Sequence, residues 1–176
     1  MNYSDARKRI KTGDVILVAG KSWISKIIKF LTGESYSHIA MFVWMGDNLW
    51  ISEMREFRGY QWLPASQWIA INSAGADLVW GHAPQAVLNN SDKVRDYALD
   101  ERMPLARYGY SQLIKVFLSR FFACWDNDPE TRGMPAVCST YIQSQWSACG
   151  VKFKYRYADP GDFEKLATGS IKLEKG

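Results

Sequence analysis

The chain reads as an α+β fold, a mostly antiparallel sheet packed against helices, in one domain over residues 1–176. Three observations predict this. Short apolar strand-like runs end at about residue 83, and helical periodicity dominates afterwards. "YSHIAMFVWMGDNLWISEM" (36–54) alternates on both sides of a Gly-Asp-Asn step, the signature of a β-hairpin. The only polar stretch of any length, 125–135, is too short for a linker, and 176 residues suit a single core.

Taken in order, a short basic helix carries Arg7, Lys8, Arg9 and Lys11. "GDVILVAG" (13–20) is an apolar strand entered through a Gly-Asp turn. "SWISKIIKFLTG" (22–33) is an amphipathic helix with Ser22 as N-cap, Trp23, Ile24, Ile27, Ile28 and Leu31 on its apolar side, and Gly33 as stop. The hairpin follows, turning at Gly46-Asp47 or at Asp47-Asn48. "YQWLP" adds a strand, "PASQWIAI" a short helix and "ADLVWGHA" (76–83) another strand. Two helices are expected next: "SDKVRDYALDER" (91–102), capped by Ser91, and "YSQLIKVFLSRFF" (110–122). After the loop "WDNDPETRGMP", "VCSTYIQSQWSACG" (137–150) starts a helix at Cys138. It repeats Ile142, Trp146 and Cys149 at helical spacing and stops at Gly150. "ADPGDFEKL" (158–166) is a turn leading into a helix.

Composition narrows the function classes. A 47% hydrophobic and 23% charged chain is globular, not disordered. Eight tryptophans exceed the need of one core, which suggests that some line a groove. The net charge of +4 comes partly from the N-terminal cluster; with no nucleic-acid motif in the chain, that cluster reads as a solvated helix face and nucleic acid is not an expected partner. No apolar run reaches the roughly 20 residues of a membrane span, and the N-terminus lacks a signal-peptide core, so no transmembrane segment and a cytoplasmic location are expected. Three widely spaced cysteines argue against a disulfide framework and for a reducing compartment. Cys124, Cys138 and Cys149 offer no CxxC pair, and with two histidines the expectation is no metal and no cofactor.

Cys138 is the candidate nucleophile. A thiol at a helix start lies in the positive end of the helix dipole beside unpaired N–H groups, and both favour thiolate. Such a nucleophile needs a base, and the base needs a polar group to orient it. Of the two histidines, His82 near the end of a strand reads as solvated or hydrogen-bonded. His38 opens the apolar strand "HIAMFV", where its ring requires a specific partner, and alternation sets His38, Ala40, Phe42 and Trp44 on one face. If Gly46-Asp47 is a two-residue turn, Met45 pairs with Asn48 and facing positions sum to 93. Glu53 then lies opposite Ala40, on the face of His38 and diagonal to it, about 7–8 Å away at the backbone. A three-residue loop would turn Glu53 to the other face, where it is an ordinary solvated carboxylate. Cys124 and Cys149 read as core, whereas Cys138, at a helix end, does not.

The ordered set "TGDVILV", "SHIAMFV", "ISEM", "LARYGY", "VCSTYI" and "DPGDF", running from about Gly13 to Phe163, resembles the circularly permuted branch of the NlpC-type papain-fold cysteine hydrolases, the YiiX/YebB-like proteins. The resemblance implies a permuted papain-like fold with Cys138 as nucleophile, His38 as base and Glu53 as third polar residue. It also implies Tyr108 as a candidate oxyanion donor beside the Cys138 N–H. Two positions depart from the family's pattern: Gly109 stands where an aspartate is common, and Met54 where a small residue is. The first leaves Tyr110, or a purely packing tyrosine, as alternatives to Tyr108. The implied reaction is hydrolysis of an amide bond in a peptide, an isopeptide or a peptidoglycan stem peptide. The alternatives are acyl or thioester chemistry of the lecithin:retinol acyltransferase kind, and a retired site that binds a peptide or glycan.

Overall fold

The computed structural model describes residues 1–22, 25–26, 29–30, 33–55, 58–100, 138–154 and 157–174. Six strands form one sheet: β1 (Val15–Gly20), β2 (His38–Met45), β3 (Asn48–Arg55), β4 (Gly59–Pro64), β5 (Ala76–Gly81) and β6 (Ser170–Leu173). Their order is β4-β3-β2-β1-β5-β6, and each neighbouring pair is antiparallel. The helices are α1 (Tyr3–Arg7), α2 (Ala65–Ser73), α3 (Gln85–Leu88), α4 (Ser91–Ala98), α5 (Cys138–Ala148) and α6 (Pro160–Leu166). The α+β class with an antiparallel sheet is therefore the one observed. Among the described residues no helix is long and apolar enough to cross a membrane.

Period-two alternation divides the apolar side chains between the two sheet faces. Ile16, Ala40, Phe42 and Ile51 pack with Trp68 and Ile69 of α2 and with Ala6 and Ile10. Leu17, Ile39, Met41 and Val43 pack with Tyr141, Ile142 and Trp146 of α5, with Val94 and Ala98 of α4 and with Phe163 of α6. The sheet is thus the middle of three layers, with α2 on one side and α4, α5 and α6 on the other. Three tryptophans, Trp68, Trp80 and Trp146, are fully buried core, while Trp44, Trp50 and Trp62 are half-buried.

Several expectations shift. The basic helix ends at Arg7, so Lys8, Arg9 and Lys11 follow it. The Arg7 guanidinium lies 4.8 Å over the Trp44 ring and that of Arg9 lies 5.8 Å over Trp80. Ser91 opens α4 but is not its N-cap. Asn90 holds that position with no capping bond, its side-chain amide donating instead to Ala86 O at 2.8 Å. Ser22 accepts the Ser25 N–H at 3.1 Å, as an N-cap should, and residues 25–26 and 29–30 are helical. The expected helix 110–122 and loop 125–135 lie outside the described residues. Helix α3 and strand β6, of four residues each, were not expected from the pattern.

The two motifs that flank the chain are structural. Asp14 is buried and accepts three N–H groups: Lys11 N (3.0 Å), the Trp80 indole (2.9 Å) and Ala83 N (2.8 Å), tying the entry of β1 to the exit of β5. In "DPGDF", Asp159 accepts Asp162 N at 3.1 Å and Asp162 accepts Asp159 N at 3.1 Å, a capping box that starts α6. A Cβ on Gly161 would come within 2.2 Å of a Glu34 carboxylate oxygen, so only glycine lets that carboxylate close on the helix.

Candidate active site

The hairpin turn fixes the site. Gly46-Asp47 is a two-residue turn with Gly46 at φ +57, the left-handed conformation that glycine adopts without strain. The strand pairs run from Met45 with Asn48 to Met41 with Ser52, every pair summing to 93 as the two-residue alternative requires. Continued by one residue, this register sets Glu53 opposite Ala40 and diagonal to His38. The side chains close the remaining gap: His38 Nε2 lies 2.7 Å from Glu53 Oε2.

Glu53 is fully buried. Burial alone would push the pKa of its carboxyl up. The His38 hydrogen bond and charge, and then Arg55, outweigh it and keep the pKa below the ordinary carboxylate value. The Trp68 indole N–H favours the same ionised form, although it is buried without completing a hydrogen bond. A carboxylate can only accept, so His38 donates from Nε2. Arg55 donates to the second oxygen, NH1 to Oε1 at 3.4 Å, and to Asn72 Oδ1 of α2 from NH2 at 3.1 Å.

Cys138 is the first residue of α5. It was expected at a helix end away from the core. Instead it is 6% exposed and belongs to the apolar cluster on the α5 face, because the first turn of α5 lies directly on the sheet. Its sulfur interacts with the His38 ring. Glu53 sits on the α2 face and Cys138 on the α5 face. The imidazole, at the first position of β2, has both as partners: Glu53 at 2.7 Å and the Cys138 sulfur. Burial of the ring opposes a positive charge. The Cys138 sulfur, by its charge and hydrogen bond, and then Glu53, overcome that and raise the His38 pKa to about 10.

His38, Glu53 and Cys138 are therefore brought together. His82 is not: its ring lies tilted against Trp80 with centroids 4.1 Å apart, and its backbone bonds Gly169 and Thr168. Cys149 is buried as expected, and burial pushes its thiol up. Tyr108, Tyr110 and Cys124 lie outside the described residues. Met54, the departure noted above, is fully buried and fills the α5-side core. Sequence reasoning missed Arg55, whose even spacing from Glu53 puts both on one strand face. It also missed a buried hydroxyl cluster on the other face, in which Ser52 Oγ and Tyr141 OH lie 2.6 Å apart, Ser52 donates to Tyr60 OH, and Tyr60 in turn donates to Ala98 O.

No protein-family model and no curated protein matches the chain. Among solved structures the chain is similar to the one described as metalloprotein yiiX from Escherichia coli O157:H7, DUF1105. The two are 18% identical over 94% of this chain and 97% of that one, with a TM-score of 0.58. At that identity the likeness is one of fold.

Proposed function

We propose that the chain is a cysteine hydrolase of the permuted NlpC-like papain type, cleaving an amide bond in a peptide, isopeptide or peptidoglycan stem peptide. One observation carries the reading: a histidine held at 2.7 Å by a buried carboxylate, its ring against a thiol at the first position of an 11-residue helix. With Nε2 committed to Glu53, Nδ1 is the nitrogen left to exchange a proton with Cys138. The sulfur attacks the carbonyl carbon, and the oxyanion forms at the start of α5, where the Cys138 N–H and the helix dipole stabilise it. Tyr108 is the proposed second donor. His38 protonates the leaving amine as the C–N bond breaks, giving a thioester. The neutral ring then takes a proton from water at Nδ1 as the water oxygen bonds the acyl carbon. The C–S bond breaks, and the thiolate–imidazolium pair is restored.

The neighbour's description as a metalloprotein does not carry over to this donor set. Both Glu53 oxygens are engaged, by His38 and Arg55, and among the described residues no group of three His, Cys, Asp or Glu side chains is arranged to hold a metal ion. No step of the mechanism runs through a metal.

The test pairs labelling with turnover. Iodoacetamide near neutral pH should alkylate Cys138 selectively over Cys149, whose thiol burial pushes up, and the protein should release amines from peptide or cell-wall fragments. Turnover of acyl thioesters alone would move the assignment to acyl chemistry. An inert Cys138 together with saturable peptide or glycan binding would make the fold a binding module.

A further inference from the structure

Glu53 has a second cation that the mechanism above does not use. His38 supports the ionised carboxylate by charge only while its ring is protonated on both nitrogens. In the thioester stage the ring must be neutral and its Nδ1 must be the base. A fully buried carboxylate facing only a neutral imidazole would tend to take up a proton itself, because burial penalises the charged form. A protonated Glu53 can present an O–H to the ring, which favours the tautomer with Nε2 as acceptor and Nδ1 carrying hydrogen, the wrong form for a base.

Arg55 removes that difficulty. Its guanidinium is charged at every working pH, and it donates to Glu53 Oε1 at 3.4 Å, the oxygen that His38 does not use. The guanidinium is itself fixed, because NH2 donates to Asn72 Oδ1 at 3.1 Å and Asn72 Nδ2 is anchored to Trp68 O at 2.8 Å, one turn back in α2. Around Glu53 the described groups are two charged or titratable ones, His38 from β2 and Arg55 from β3, and three uncharged ones, Gln61 across the strand pair and Trp68 and Asn72 from α2. Arg55 is the single permanent cation of that set.

We propose that Arg55, braced by Asn72, is a positioning residue that keeps Glu53 ionised throughout the reaction cycle, so that His38 retains its Nε2–H on Glu53 and its Nδ1 as the base for deacylation. This rests on the Cys138–His38 chemistry proposed above and adds the device that makes its second half work. Arg55 touches no reacting atom. Its effect passes through Glu53 and the ring.

The experiment is the rate of Cys138 alkylation by iodoacetamide followed from about pH 4 to about pH 8, a range that spans the ordinary carboxylate and histidine pKa values. In Arg55→Met the acid limb should move up by about one pH unit or more, since a protonated Glu53 no longer supports the imidazolium opposite the thiolate. Arg55→Lys should return it partway, and Asn72→Ala should move it less than Arg55→Met. In a Glu53→Gln background the Arg55→Met shift should collapse, because the carboxylate it acts through is gone. A guanidinium acting directly on the sulfur would keep its effect in that background and overturn the proposal. So would a cooperatively folded Arg55→Met with an unmoved acid limb. If Arg55→Met does not fold, Arg55→Lys and Asn72→Ala decide, and no shift in either overturns the inference. Alkylation that is indifferent to His38→Ala would instead remove the underlying mechanism, and the two failures are distinguishable.

Discussion

Two carboxylates, Asp14 and Glu53, are buried to the same extent in this sheet, at 1% and 0% exposure, and each has a histidine in its field. They behave in opposite ways. Asp14 meets only neutral N–H donors at hydrogen-bonding distance, with His82 acting from farther off. Burial wins there, and its pKa is raised. Glu53 meets a hydrogen-bonded histidine and an arginine, and its pKa is lowered despite full burial. Depth does not separate a structural carboxylate from one proposed to work on a proton. What separates them is whether the partners carry or can gain charge, and whether the histidine has a thiol on its other side.

The most severe test of that contrast is the thiol. Cys138→Ala should reduce turnover by about 10³-fold or more with the fold intact. Cys149→Ala should leave turnover alone and cost about 1 kcal/mol of stability from lost packing. Wild-type turnover in Cys138→Ala would falsify the assignment of the Glu53 pair as the working one. Next in size, His38→Ala should slow Cys138 alkylation at neutral pH by about 10²-fold, whereas His82→Ala should change it by less than about twofold. The reverse ranking would mean that the wrong histidine–carboxylate pair has been singled out.

Smaller again, Glu53→Gln should cut the rate by about 10–100-fold, the worth of one charge-assisted hydrogen bond, and Glu53→Ala by more, since the ring also loses its orientation. Asp14→Ala should leave the rate per folded molecule unchanged while costing about 2–4 kcal/mol, because buried donors from Lys11, Trp80 and Ala83 lose their acceptor. The finest test is the sign of two pH dependences, read from denaturant melts. Glu53 lies below its ordinary 4.5, so the advantage of the wild type over Glu53→Gln should hold above that pH and vanish as pH falls through the lowered value. Asp14 lies above its ordinary 3.8, so the wild type should stand best against Asp14→Asn below that pH and lose ground as pH rises through the raised value. Parallel trends in the two titrations would erase the contrast.

Much of the site was legible because local rules fixed it. Turn chemistry and alternation admitted two registers, and each made a definite statement about Glu53; the shorter turn is the one formed. Gly150 and the apolar spacing from Ile142 to Cys149 located α5, and with it the position of Cys138 at its start. Alternation could say that His38 and Glu53 share a face, but not that the thiol would reach the ring from the opposite layer, since that depends on which face α5 covers. Arg55 was hidden for a different reason. An arginine near a strand end ordinarily reads as solvated, and nothing local reveals that Asn72, 17 residues on, will hold it over a buried carboxylate. Asp14 and the "DPGDF" aspartates carry motif-like spelling, yet their work is hydrogen-bond satisfaction. Helix α3 and strand β6 are each too short for periodicity to register.

The chain order of the three residues has a consequence in time. Glu53 and His38 lie close together in the sequence, but Cys138 follows Glu53 by 85 positions (138 − 53). At about 5–20 residues per second a ribosome delivers the nucleophile roughly 4–17 s after the carboxylate. The emerging polypeptide therefore carries the His38–Glu53 pair before the proposed nucleophile, and Cys138 can join it only when five of the six strands of the sheet have already been synthesised.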